Sequence, residues 1–156
     1  MNKPVEKYTN EDDFQQLAKW WQYRLGLERW QISFQYSTDA DAINPDNDSF
    51  AYGMTYPDYV LRYAVVVVGD KGCLELTIVH ELLHLLVPYS LLTLKELDES
   101  DDASIAFEAN TIHRELEAMA KSLLMVKYPD IEWEYFKIDF EDFLKNTKEK
   151  FFEDKC

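Results

Sequence analysis

Ile78-Val79-His80-Glu81-Leu82-Leu83-His84-Leu85-Leu86 is the stretch whose reading decides the fold. At about 3.6 residues per helical turn, His80 and His84 fall one turn apart on one face, with Glu81 on the flank beside them. Two imidazoles so spaced can hold one metal ion, and a Zn²⁺ bound this way takes a third protein ligand and keeps an open position for water. Glu81 is then placed to take the proton from that water as it attacks a carbonyl. Ile78, Val79, Leu82, Leu83, Leu85 and Leu86 cover nearly the whole circumference, which predicts a buried helix. Two histidines and a glutamate inside such a helix are costly unless something satisfies them, and a metal ion does. A chance His-Glu-x-x-His would more often lie on a solvated face.

Upstream, Gly69-Asp70-Lys71-Gly72 predicts a turn leading into this helix. Before it, Tyr63-Ala64-Val65-Val66-Val67-Val68 is an unbroken apolar run, as expected of a strand that is central or covered on both faces. The pattern places strands over Phe50 to Tyr56 and Tyr59 to Val68, with a turn around Pro57-Asp58. Trp30, Ile32, Phe34 and Tyr36 alternate with Gln31, Ser33 and Gln35, which predicts a half-buried strand. Thr9-Asn10-Glu11-Asp12 reads as a capping box with Thr9 at the cap. Phe14, Leu17, Ala18, Trp21 and Leu25 follow at helical spacing, and Gly26 closes that helix. Asp39 to Asp48 is an acidic loop whose spacing fails the calcium-loop pattern, because no Gly is present.

Downstream, Pro88 ends the histidine-bearing helix, and the acidic stretch Leu94 to Asp102 reads as a solvated connection. A second long helix is predicted from about Ser104 to Val126, with Ile105, Ala109, Ile112, Leu116, Met119, Leu123 and Val126 as its apolar stripe. It carries His113, the third of the chain's three histidines. Ala106, Ala109 and Ala120 lie near the same face, and small side chains let two helices approach closely. His113 is therefore the expected third ligand, with Glu117 as the alternative and Glu108 and Glu115 after it. Ile131, Trp133 and Tyr135 alternate briefly, and Phe136, Phe140, Phe143, Leu144 and Phe151 predict a C-terminal amphipathic helix packed on the domain.

With 156 residues, the expectation is one domain over 1–156 with one core. Ten Tyr, nine Phe and four Trp supply material for its interior. A formal charge of −14 argues against binding nucleic acid through its phosphates. Cys73 and Cys156, the only cysteines, make a disulfide framework unexpected. The residues from Met1 to Lys7 lack an apolar signal core, and no apolar run approaches the ~18 residues that span a membrane. The expectation is a cytoplasmic protein, monomeric by default, free of membrane and nucleic acid.

The run from Trp30 through Tyr63-Ala64-Val65-Val66-Val67 to Val79-His80-Glu81-Leu82-Leu83-His84-Leu85-Leu86 resembles small zincin-like zinc metallopeptidases of phages and bacteria. It is more distantly similar to the ImmA/IrrE and SprT-like groups. In the ImmA/IrrE pattern a later helix reads E-x-x-A-x-x-F-A and then Leu-Leu-Met; this chain has His113-Arg114-Glu115-Leu116-Glu117-Ala118-Met119-Ala120 and then Leu123-Leu124-Met125. His113 falls where that pattern places a glutamate ligand. The metzincin extension is absent, since Val87 stands in place of its Gly and Ser90 in place of its third His. The resemblance, over residues 25–126, implies an α+β zincin-like fold. In that fold a small twisted sheet of three or more strands packs on the His-Glu-x-x-His helix, and a second long helix supplies the third ligand. It further implies hydrolysis of a peptide or protein substrate, with Zn²⁺ on His80, His84 and His113 and Glu81 as general base. The oxyanion stabiliser stays open among Tyr89, Tyr128 and Arg114. The other reading of the residues is a non-catalytic module, stapled by zinc, whose acidic surface engages a basic partner or mimics nucleic acid. An intact Glu81 favours the enzyme, because a purely structural site has no need of that carboxylate.

Overall fold

The computed structural model describes residues 2–39, 52–88 and 103–136, with the backbone alone described for 103–110. The first helix, α1, spans Glu11–Arg24. Its cap is Asn10 and not the expected Thr9: the Asn10 side chain accepts from the Asp13 N–H. Asn is as good a cap as Ser or Asp and better than Thr, so the helix starts one residue later. Phe14, Ala18 and Trp21 form its buried face. Gly26 ends it as expected, at a φ of +73° that side-chain-bearing residues rarely adopt.

Three strands follow: β1 (Gln31–Tyr36), β2 (Gly53–Asp58) and β3 (Tyr63–Val68). They form one mixed sheet in the order β1-β3-β2, with β1 parallel and β2 antiparallel to β3. The apolar run takes the centre, as its composition requires, and Ala64, Val66 and Val68 have no exposed surface. β1 is the half-buried edge its alternation predicts, with Phe34 buried and Gln31 and Gln35 exposed.

The β2–β3 turn is displaced from its expected place. Pro57 and Asp58 belong to β2, and Tyr59 to Arg62 make the turn. Proline is tolerated because β2 is a sheet edge, where no ladder donor is required of it. Asp58 Oδ1 then accepts from the N–H groups of Val60 and Leu61, and this side-chain cap turns the chain two residues later than Pro-Asp suggested.

The His-Glu-x-x-His helix, α2, spans Leu74–Leu86 and packs on β2 and β3. All its residues from Leu74 to Leu85 are buried, which matches its unbroken apolar circumference. Its first N–H groups are met by the N-terminal segment: Leu74 N–H donates to the Glu6 carbonyl and Glu75 N–H to that of Val5.

The long helix, α3 (Ala103–Lys127), crosses α2. Its buried face differs from the expected stripe. Leu116, Ala120 and Leu124 are buried, whereas Met119 is 47% and Val126 80% exposed. Both sets recur at helical spacing, and the one that includes Ala120 wins because it lets the helices close together. Ile131 to Tyr135 form no strand; a turn after Tyr128 leads into a 3₁₀ helix at Trp133–Phe136. The acidic loop over 40–48, the connection at 94–102, Tyr89, Glu108 and the C-terminal helix expected after Phe136 lie outside the described residues or side chains. The described chain is thus α+β, a small sheet with helices against it. Among the described residues no helix is long and apolar enough to cross a membrane.

Candidate metal centre

α2 and α3 bring the three histidines together. His80 and His84 are buried, and each of His80, His84 and His113 offers a ring nitrogen such that all three lie within 4.8 Å of one another. Their ring centroids are 4.6–5.3 Å apart. The single turn between positions 80 and 84 sets one side of the triangle, and the close α2–α3 approach sets the other two. Tyr59 holds the end of α2 by donating to the His84 carbonyl at 3.0 Å, and its own ring meets Trp30 edge to face.

The cluster fits a cation. His113 Nδ1 is buried with no hydrogen-bond partner, a costly state for an imidazole nitrogen that has nothing to bind. Burial, with His80 nearby, pushes His84 down to about 2 and His113 down to about 4, so both rings are neutral donors at neutral pH. His80 goes the other way. Burial opposes its charge, but the Glu117 hydrogen bond and the nearby Glu81 and Glu117 carboxylates outweigh burial and raise its pKa.

Glu117, the alternative ligand, lies 2.7 Å from His80 Nδ1 through Oε2. Burial disfavours its charge, yet His80 and Lys121 hold its pKa below the ordinary carboxylate value. A carboxylate on one imidazole nitrogen fixes the ring and its tautomer and leaves the other nitrogen for a metal. The structure thus brings His113 into the histidine cluster and places Glu117 against His80. Glu115 is exposed. His113→Ala removes a donor and is expected to weaken metal binding by several orders of magnitude, whereas Glu117→Ala should cost roughly 10–100-fold. Chelator competition measures both, and equal losses would refute this division.

The metal-free protein also has a defined acid response. Above the ordinary value of 6.5, His84 and His113 are neutral folded and unfolded alike. As pH falls below it the unfolded chain takes up protons that these two buried rings refuse, down to about 4 for His113 and about 2 for His84. His80 opposes this, since its raised pKa adds stability below 6.5 that is lost as pH rises through the folded value. Glu117, held below its ordinary value, acts with these two histidines, and Glu81, raised by burial, acts with His80; the two large downward histidine shifts set the expected direction, a Tm that falls below about pH 6.5. A flat Tm between pH 7 and 5 would contradict it.

Glu81 is buried beside His80, and burial raises its pKa against the opposing effects of His80 and the Thr55 hydrogen bond. Thr55 Oγ1 lies 2.6 Å from Glu81 Oε2 and 3.0 Å from the Glu81 carbonyl oxygen. The sequence pattern alone does not single out Thr55. Gly53 beside it did carry a signal, as a lone glycine within a strand pattern.

Of the oxyanion candidates, Tyr128 is turned away: its hydroxyl donates to Glu75 Oε2 at 2.8 Å. Arg114 is exposed on α3. Burial pushes the Cys73 thiol up to about 11, which disfavours the thiolate a nucleophile needs. No family model, no curated protein and no solved structure matches the chain. The centre is read from its own geometry: three histidines able to share a metal ion, with a carboxylate next to one of them.

Proposed function

We propose that the chain is a zinc metallopeptidase of the zincin-like kind, hydrolysing peptide bonds with Glu81 as general base. The single observation that carries this is the cluster of His80, His84 and His113 with the orphaned His113 Nδ1. Three imidazoles suit zinc, and a site with three protein ligands is the catalytic arrangement, since structural zinc sites are closed by four. His80, His84 and His113 would hold the zinc, which would supply Lewis acidity toward the scissile carbonyl and lower the pKa of a water toward ~7.

The protein's own groups do the rest. Glu117 holds His80 at Nδ1, which fixes the ring and leaves its other nitrogen available to an ion. Glu81 accepts the proton of the attacking water and returns it to the leaving amine, for which a buried carboxylate of raised pKa is suited. β2, an edge of the sheet among the described residues, passes beside Glu81 and can align an extended peptide through its backbone. The test is metal content by mass spectrometry together with cleavage of a peptide library by the zinc-loaded protein. Stoichiometric zinc with no cleavage would favour the non-catalytic, zinc-stapled module instead.

A further inference from the structure

β2 approaches α2 more closely than a side chain at position 53 would permit. A Cβ on Gly53 would stand 2.9 Å from Thr77 Cγ2, 2.9 Å from the Val67 carbonyl oxygen and 3.0 Å from Glu81 Cγ. The missing side chain therefore lets the strand lie directly against the methylene of Glu81. Two residues on, and so on the same face of the strand, Thr55 is 4% exposed and meets Glu81 twice. Its Oγ1 is 3.0 Å from the Glu81 carbonyl oxygen and 2.6 Å from Oε2.

A hydroxyl has one proton, and against an ionised Glu81 the 2.6 Å contact to Oε2 takes it in preference to the 3.0 Å contact to the carbonyl oxygen; that hydrogen bond ties the end of the side chain to β2 and restricts its torsions. Val, the usual β-branched occupant of a buried strand position, would fill the same space and hold neither oxygen. A hydroxyl has one donor and two acceptor lone pairs, so it can keep a hydrogen bond to Oε2 whichever of the two atoms carries the proton.

We propose that Thr55 is a positioning residue for Glu81: with Gly53 admitting the strand, its hydroxyl anchors Oε2 and leaves Oε1 as the oxygen presented to the reacting water. This rests on the hydrolytic reading of the site. A general base must stand within hydrogen-bond reach of the proton it takes, and a long, flexible glutamate holds that geometry only if its other end is fixed.

The experiment compares wild type, Thr55→Val, Thr55→Ser and Glu81→Gln as zinc-loaded proteins. Thr55→Val is expected to keep zinc content and KM and to lose roughly tenfold to a hundredfold in kcat, with Thr55→Ser restoring most of it. A merely structural Thr55 would lower Tm without this split between kcat and KM. A readout independent of activity is the unfolding of the metal-free Thr55→Val, Glu81→Met and double variants, whose Tm losses should be less than additive. An unchanged kcat in Thr55→Val, failure of Thr55→Ser to rescue, or strict additivity each overturns the proposal. Cleavage that is lost in Glu81→Gln yet intact in Thr55→Val sinks the proposal alone. Absence of any Glu81-dependent cleavage by wild type sinks the hydrolytic reading and the proposal together.

Discussion

Glu81→Gln is expected to take up zinc as wild type does and to hydrolyse peptides roughly 10²–10⁴-fold more slowly, the span that a positioned general base contributes. Glutamine matches the shape of the side chain, and its amide can still hydrogen-bond Thr55, so α2 and β2 should stay in place. The amide cannot accept the water's proton, and that is the one property removed. None of the three clustered histidines is touched, so zinc affinity should be unchanged within a factor of a few. The comparison therefore separates the two functional readings without any knowledge of the natural substrate. In a hydrolase the rate collapses at constant zinc content; in a zinc-stapled binding module, wild type and variant are equally inactive. A variant that retains more than a tenth of the wild-type rate would remove Glu81 from the chemistry.

The parts of this molecule visible in its sequence are those where one residue type suffices to fix an environment. β3 could be placed because six consecutive apolar residues tolerate only a central strand, and α2 because its apolar residues leave no solvent face. His113 could be singled out because only three histidines exist and two already demanded a partner. What stayed hidden depends on pairs distant in the chain. α3 carries two plausible apolar stripes, and the choice between Met119 with Val126 and Ala120 with Leu124 is made by the helix it meets. In the sequence Glu117 is the alternative to His113 as third ligand, since it lies one helical turn away; its contact with His80 depends on how the two helices pack and cannot be read there. The β2–β3 turn moved because a side-chain cap at Asp58 competes with the Pro-Asp turn signal.

Glu75 is the furthest from legible. In sequence it is an acidic residue in the first turn of a helix, a place where a carboxylate interacts favourably with the helix dipole and is ordinarily solvated. In the fold it has no exposed surface, and four donors converge on it. Oε1 accepts from Trp21 Nε1 at 2.8 Å and Lys127 Nζ at 2.5 Å, and Oε2 accepts from the Val5 N–H and the Tyr128 hydroxyl, both at 2.8 Å. One carboxylate thereby joins the N-terminal segment, α1, α2 and the end of α3, with Lys127 also lying over the Trp20 ring at 4.1 Å. Glu75→Leu is expected to cost about 3–5 kcal/mol, because it strands the Lys127 charge and leaves Trp21 and Tyr128 without their acceptor. For a chain of this size that is a fall in Tm of roughly 6–20 °C. Glu75→Gln should fall between the two, since it keeps one acceptor oxygen but turns an N–H₂ toward donors. Because Glu75 is five residues from His80, and Lys127 and Tyr128 end the helix that carries His113, zinc affinity should fall along with Tm. Denaturant unfolding of the metal-free variants, followed by chelator competition, tests both. A loss below 1 kcal/mol in Glu75→Leu would show that the four donors find other partners and that the clasp does not hold the two histidine-bearing helices together.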